Sequence, residues 1–223
     1  MGSRMKSWRR RIVQALLLIL AGILVAAVVL YLRVKDVPRF YDKALVTSLK
    51  QLDDSRDELL EKVEQLKQDV RFSPAYQITL TDEQLNGWLA RKYDTDSKSA
   101  VFSRPRLAVH PGFIEIACQA RYKSLQTVVS VRVTAEMTGR RNVGQVQVTS
   151  IKAGSMPIGW DRVIDRVRQA VERTELETSW RSGDGEATVD VVIPSRWRQS
   201  HRELVIESIE LAEGQLTIRG YSE

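Results

Sequence analysis

Apolar and polar positions alternate along this chain in three rhythms. From Ile12 to Leu32 there is no charge, and the only clearly polar side chain is Gln14 at the entry end. A helix rising about 1.5 Å per residue carries that stretch across the ~30 Å of bilayer hydrocarbon, which predicts a transmembrane helix. After Val37-Pro38, a helix interruption, apolar residues step by four and three: Leu45, Leu49, Leu52, Leu59, Val63, Leu66 and Val70, with Arg56 in one place of the series. This predicts one amphipathic helix from Arg39 to Val70, ended by Phe72-Ser73-Pro74. Beyond it the period falls mostly to two.

Tyr76, Ile78 and Leu80 mark a short strand. Thr81 and Gln84 have capping-box spacing, with Asp82 and Glu83 in the first turn of a helix whose buried face is Leu85, Trp88 and Leu89. Asn86 points away from that face and shows no evident chemistry. Asp94–Arg104 reads as a loop. Leu107 and Val109 then lead into the Pro111-Gly112 turn. Ile114, Ile116, Cys118 and Ala120 alternate with Glu115, Ala117, Gln119 and Arg121. Val129, Val131, Val133, Ala135 and Met137 alternate with polar residues, as do Val146 and Val148. Each run predicts a strand with its aliphatic face buried and its other face wet. A helix from Trp160 to Arg173, with Trp160, Val163, Ile164, Val167 and Val171 on one side, is expected to cross the concave face of the sheet. Thr174–His201 has little pattern beyond a turn at Ser182–Gly185 and a strand at Ala187–Ile193. A hairpin, Leu204–Leu211 and Leu216–Tyr221 around Glu213-Gly214, ends the chain. The fold class read from this is α+β: a transmembrane helix, a long amphipathic helix, then a curved antiparallel sheet packed on one or two helices. The divisions are residues 1–11, a basic cytoplasmic segment; 12–32, the membrane span; 33–72, a stalk helix; and 73–223, an extracytoplasmic domain.

Charge orients the span. Arg4, Lys6, Arg9, Arg10 and Arg11 precede it, so the N-terminus is expected in the cytoplasm and the domain in the periplasm or outside, on a single-pass anchor in the inner (plasma) membrane. The alternative is a cleaved signal peptide. Its apolar region would be only ~7–15 residues long, with a small-residue cleavage site that Tyr31-Leu32-Arg33-Val34 does not offer. The formal charge of +6 comes largely from the basic flank, so composition gives no case for nucleic acid as a partner. Cys118 is the single cysteine, which excludes an intrachain disulfide, and its place in the aliphatic alternation predicts a buried structural thiol.

Candidate chemistry is sparse. His110 and His201 do not have metal-ligand spacing, and there is no nucleophile elbow, P-loop or dinucleotide fingerprint. No catalytic, metal or cofactor residue is nominated, and the chain is expected to be no enzyme. Three surfaces are nominated instead. An apolar ligand pocket would lie between sheet and helix, lined by Ile114, Ile116, Val129, Val131, Val133, Trp160, Val163, Ile164 and Val167. Its ligand would be membrane lipid or an apolar segment. The stripe Leu45, Leu49, Leu52, Arg56, Leu59, Val63 and Leu66 suits a parallel coiled coil, giving a homodimer or a membrane-protein partner in an envelope scaffold. Equally, it suits a helix packed on its own domain. Arg196-Trp197-Arg198 is either an indole covering a sheet edge or a contact with lipid headgroups.

Several of these features together resemble the YpmS-like membrane-anchored extracytoplasmic bacterial proteins and the broader tubular lipid-binding (TULIP-like) group. The residues carrying the resemblance are the anchor, Leu80-Thr-Asp-Glu-Gln-Leu-Asn-Gly-Trp-Leu, the valine-rich strands, Met156-Pro157-Ile158, Ile193-Pro194-Ser195 and the terminal hairpin, across roughly Tyr76 to Gly220. The helix Arg39–Val70 stands outside it. The resemblance implies a curved sheet around a helix that holds an acyl chain, and lipid or lipoprotein handling at the outer side of the membrane.

Overall fold

The structure, a computed structural model, describes residues 29–30, 32–94, 102–122, 125–159, 168, 177–183, 186–195 and 202–223. It is α+β, with two antiparallel sheets and few helices. Besides the helical residues 29–30, 32–35 and 168, the described helices include α1 (Arg39–Val46), α2 (Leu49–Phe72) and α3 (Asp82–Tyr93). The strands are β1 (Ala75–Thr81), β2 (Phe102–His110), β3 (Phe113–Tyr122), β4 (Leu125–Met137), β5 (Val143–Ala153), β6 (Met156–Pro157), β7 (Glu177–Gly183), β8 (Glu186–Val192), β9 (Leu204–Ala212) and β10 (Gln215–Ser222).

The large sheet has the order β2-β3-β4-β5-β8-β7, with β6 added beside β5; the small sheet is β1-β10-β9. Register shifts between Ser103 and Arg106 and between Arg132 and Val133 bend the large sheet, as bulges do. The small sheet caps one end of the large one. Gly112 of the β2–β3 turn donates its N–H to the Leu211 carbonyl, and Gly214 donates to Val109. At the β4–β5 turn, Asn142 is 3% exposed and sits at φ 52°. Its Nδ2 donates to the Leu204 carbonyl at 2.6 Å, and its Oδ1 accepts from the Ile206 N–H at 2.8 Å. The other end of the sheet is the level of Phe102, Ala120 and Thr127, which are paired in register. At ~3.3 Å per residue the 13 residues of β4 separate the two ends by roughly 40 Å.

The periodicity predicts one helix from Arg39 to Val70; the structure divides it at Thr47-Ser48. Ser48 is an N-cap whose side chain accepts from the Gln51 N–H, and Gln51 returns the bond as a capping box. Neither helix stands free. α1 lies on the large sheet. α2 packs on α3 and the small sheet, with Val70, Tyr76 and Leu204 forming one buried cluster.

The helix face predicted for α3 also differs. Gln84, Asn86, Gly87 and Ala90 are the buried residues, and Trp88 is 38% exposed. Asn86 is 6% exposed because its side chain serves as a strand: Nδ2 donates to the Leu107 carbonyl and Oδ1 accepts from the Leu107 N–H. One turn earlier Asp82 accepts from the Val109 N–H at 2.9 Å. Together they occupy the polar backbone edge of β2, which would otherwise be open to pairing. Gly87 allows the α2–α3 crossing: a Cβ there would fall 2.4 Å from the Leu52 carbonyl oxygen.

Candidate apolar ligand face

The registers set apolar residues in rows across one face of the large sheet. One row is Val109, Ile114, Val133, Val148, Ala187. The next is Leu107, Ile116, Val131, Ile151, and a third joins Val146, Val189 and Trp180. Ala120, Val129, Val148, Ile151 and Ala187 form its buried cluster, with Cys118, Val131, Val133 and Ile158 packed against it. Cover is uneven. Val109 is fully buried and Ala187 is 1% exposed, but Ile116 is 37% exposed, and Ile114, Val131 and Val133 are only half-buried. Fully burying such a side chain stabilises by roughly 1.5–3 kcal/mol, so this face retains a drive for further cover.

Five of the predicted pocket residues, Ile114, Ile116, Val129, Val131 and Val133, therefore share this face. Trp160, Val163, Ile164 and Val167 lie outside the described residues. Of the helix predicted over Trp160–Arg173 only Arg168 is described: it is helical, and its guanidinium lies 5.4 Å from the centre of the Trp180 ring. Burial pushes the Cys118 thiol up to about 11, which disfavours its thiolate.

The reverse face differs from the predicted wet surface. Tyr41 is fully buried and packs on Ala117 and Val128, with Phe40 and Leu45 alongside. Ala117 is 1% exposed and its cross-strand partner Ser130 is 3% exposed. These small side chains leave room for the aromatic ring, whose hydroxyl donates to the Arg104 carbonyl at 2.8 Å. Burial raises the Tyr41 phenol to about 12. Further across, under β5, β8 and β7, the same face is polar. Asp190 pairs with Arg181 at 2.6 Å and with Arg140. The Arg181 hydrogen bond, with the charge of Arg140 alongside, holds its carboxyl below the usual carboxylate range.

The predicted self-association stripe turns mostly inward. Leu52 and Leu59 are buried, Leu66 packs beside Val70, Leu45 joins the Tyr41 cluster, and Val63 is half-buried. Arg56 pairs with Asp57 at 2.6 Å and Asp53 at 3.5 Å. Leu49, at the elbow beside Val46, is 79% exposed. Arg196, Trp197 and Arg198 lie outside the described residues.

A second hollow, of about 190 Å³, is lined by Phe40, Lys43, Asp82, Glu83, His110 and Glu213 among others. Asp82 holds the β2 edge and is raised in pKa, mainly by burial, while His110 Nδ1 lies 3.3 Å from Glu213. Among the described residues no group of His, Cys, Asp and Glu could hold a metal ion.

The sequence reading gives no role to Thr127 and Ser155. Residues 32–35 are helical, and the end of that helix docks on the sheet where β4 runs past β5. The Arg33 carbonyl accepts from the Ser155 N–H at 2.9 Å and from its hydroxyl at 3.2 Å; the Val34 carbonyl accepts from the Thr127 hydroxyl. Gly154, at φ 60°, lies beneath them: a Cβ there would fall 2.2 Å from the Arg33 oxygen. The available signal is a Gly-Ser pair directly after a long strand. Among the described residues no helix is long and apolar enough to cross a membrane; Ile12–Leu32 lies almost wholly outside them, and its described residues Val29, Leu30 and Leu32 are helical and exposed. No family model, curated protein or solved structure matches the chain.

Proposed function

We propose that this chain is a single-pass protein of the plasma (inner) membrane whose extracytoplasmic domain binds a lipid acyl chain or an apolar protein segment, without catalysing a reaction. The observation that carries the reading is the aliphatic face of the large sheet, crossing β2 to β8, with Ile114, Ile116, Val131 and Val133 left partly open. An antiparallel sheet accepts solvent on one face, but the solvated face is then polar. Here Ile114, Ile116, Val131 and Val133 stay partly open beside the buried centre at Ile151 and Ala187, which suits a surface that receives an apolar guest. The anchor Ile12–Leu32 would set the domain beside its source of lipid. Self-association through α2 is the weaker reading, since most of its stripe faces the chain's own α3 and sheets.

The test is lipid analysis of the full chain extracted in mild detergent. Mass spectrometry is expected to find phospholipid or lipoprotein acyl chains bound to the wild type. Their amount should fall sharply in Val131→Asp and Ile116→Asp variants that keep the wild-type circular dichroism. Equal lipid content in the folded variants and the wild type would sink the reading.

A further inference from the structure

The uncapped end of the large sheet, level with Phe102, Ala120 and Thr127, is built differently from the capped end. The last residues of the apolar N-terminal stretch enter it directly. Arg33 and Val34 dock there through Ser155 and Thr127, satisfying carbonyls that a helix C-terminus leaves open. Leu32 precedes Arg33 by a single residue, so the end of the apolar stretch stands within about one helical turn, ~5 Å, of the sheet. A stalk of residues 33–72 does not intervene: α1 and α2 fold back along the domain.

α3 runs antiparallel to β2 and brings its C-terminus to the same end. Its start is held at Val109 by Asp82, its middle at Leu107 by Asn86, and the following Asp94 pairs with Arg106. The C-terminal half of α3 carries an exposed aromatic pair, Trp88 at 38% and Tyr93 at 44%, and at the end of the sheet itself Phe102 and Val37 are 41% and 40% exposed. Lys92 Nζ lies 4.6 Å from the Trp88 ring centre and 5.3 Å from that of Tyr93. Exposed tryptophan and tyrosine interleaved with lysine is the composition of a water–bilayer interface: the rings sit at headgroup depth and the ammonium reaches the phosphates.

We propose that this end of the domain rests on the outer leaflet of the membrane that anchors it, with Trp88, Tyr93 and Phe102 in the headgroup layer and Lys92 against anionic phospholipid. This goes beyond the apolar-face reading and rests only on the part of it that makes Ile12–Leu32 a membrane span. The aliphatic face then stands on the bilayer, with its β4 and β5 rows leading away from the lipid.

The experiment uses the full chain reconstituted into phosphatidylcholine–phosphatidylglycerol vesicles. A fluorophore is placed on Tyr93→Cys at this end or on Glu213→Cys at the capped end, each in a Cys118→Ala background, since Cys118 is only partly buried. Lipids spin-labelled near the glycerol end of the acyl chain serve as quenchers. The Tyr93→Cys probe is expected to lose most of its emission, more with phosphatidylglycerol than in pure phosphatidylcholine, and the Glu213→Cys probe to lose none. Quenching of neither probe, or of both alike, overturns the proposal. Extraction of the vesicles with alkaline carbonate separates this failure from the other: a chain that is released has no membrane span, whereas a chain that stays with both probes bright has a span and no surface contact.

Discussion

Ile116 and Ala117 are neighbours on β3 that face opposite sides of the large sheet. The isoleucine is 37% exposed; the alanine is 1% exposed. Alternation shows that a strand has two unlike faces, but not which face the chain covers with its own elements. Here α1 covers the face of small residues, because Tyr41 needs the space that Ala117 and Ser130 leave. The aliphatic face is closed at its centre, around Ile151 and Ala187, and left open at Ile116. Under α1 the first face is closed by the chain's own core, whereas the second keeps Ile116 open.

The largest expected effect follows from setting the two neighbours side by side. Ala117→Asp forces a carboxylate into the packed space beneath Tyr41, where the cross-strand guanidinium of Arg106 is already paired with Asp94, which costs about 3–5 kcal/mol and leaves little folded protein in a urea titration. Ile116→Asp places the same charge on an open position and is expected to shift stability by about 1 kcal/mol or less. If the two midpoints come out in the reverse order, the assignment of covered and open faces is inverted.

Next in size is Tyr41→Phe. It keeps the ring and removes the hydroxyl that donates to Arg104, for an expected loss of about 1–1.5 kcal/mol. It also changes the alkaline limb of stability. Burial raises the phenols of Tyr41 and Tyr76 from 10.0 to about 12. An acid whose pKa is higher in the folded state contributes stability below its unfolded pKa and loses it as pH rises through the folded one. Wild-type stability should therefore decline between pH 10 and 12, and Tyr41→Phe, without that phenol, should decline less steeply. Equal slopes would mean that Tyr41 is solvated.

The legibility of the chain followed the range of the signals. The capping box of α3, the Pro111-Gly112 turn and the Glu213-Gly214 hairpin are local, and each stands where the sequence places it. The break at Thr47-Ser48 was also written locally, as Ser48 three residues before Gln51, but the heptad spacing ran across it. The division into two sheets was not legible, since it depends on β1 pairing with β10, Ala75 opposite Tyr221, from the far end of the chain. β7 carries little sequence signal, because Glu-Thr-Ser-Trp-Arg-Ser-Gly hardly alternates. Asn86 reverses its expected place because a polar residue on a helix looks solvent-facing until a strand edge lies against it.

The smallest effect belongs to the polar part of the covered face, where Asp190 meets Arg181 and Arg140. These partners are exposed, 60% and 65% by side chain, so solvent weakens the pairs. Asp190→Asn should therefore cost less at neutral pH than Tyr41→Phe, although it removes two ion pairs rather than one hydrogen bond. Its signature is in acid. The Asp190 carboxyl titrates below its ordinary value in the folded state, so its stabilisation is present above the unfolded pKa and is lost as pH falls through the folded one. Wild type and Asp190→Asn should differ at neutral pH and converge in acid, below the ordinary aspartate value of about 3.9. A gap that stays constant to the lowest pH would show that the side chain acts there by shape alone. A neutral-pH loss exceeding that of Tyr41→Phe would make the arginine network, and not the α1 cover, the part of this face that the fold depends on most.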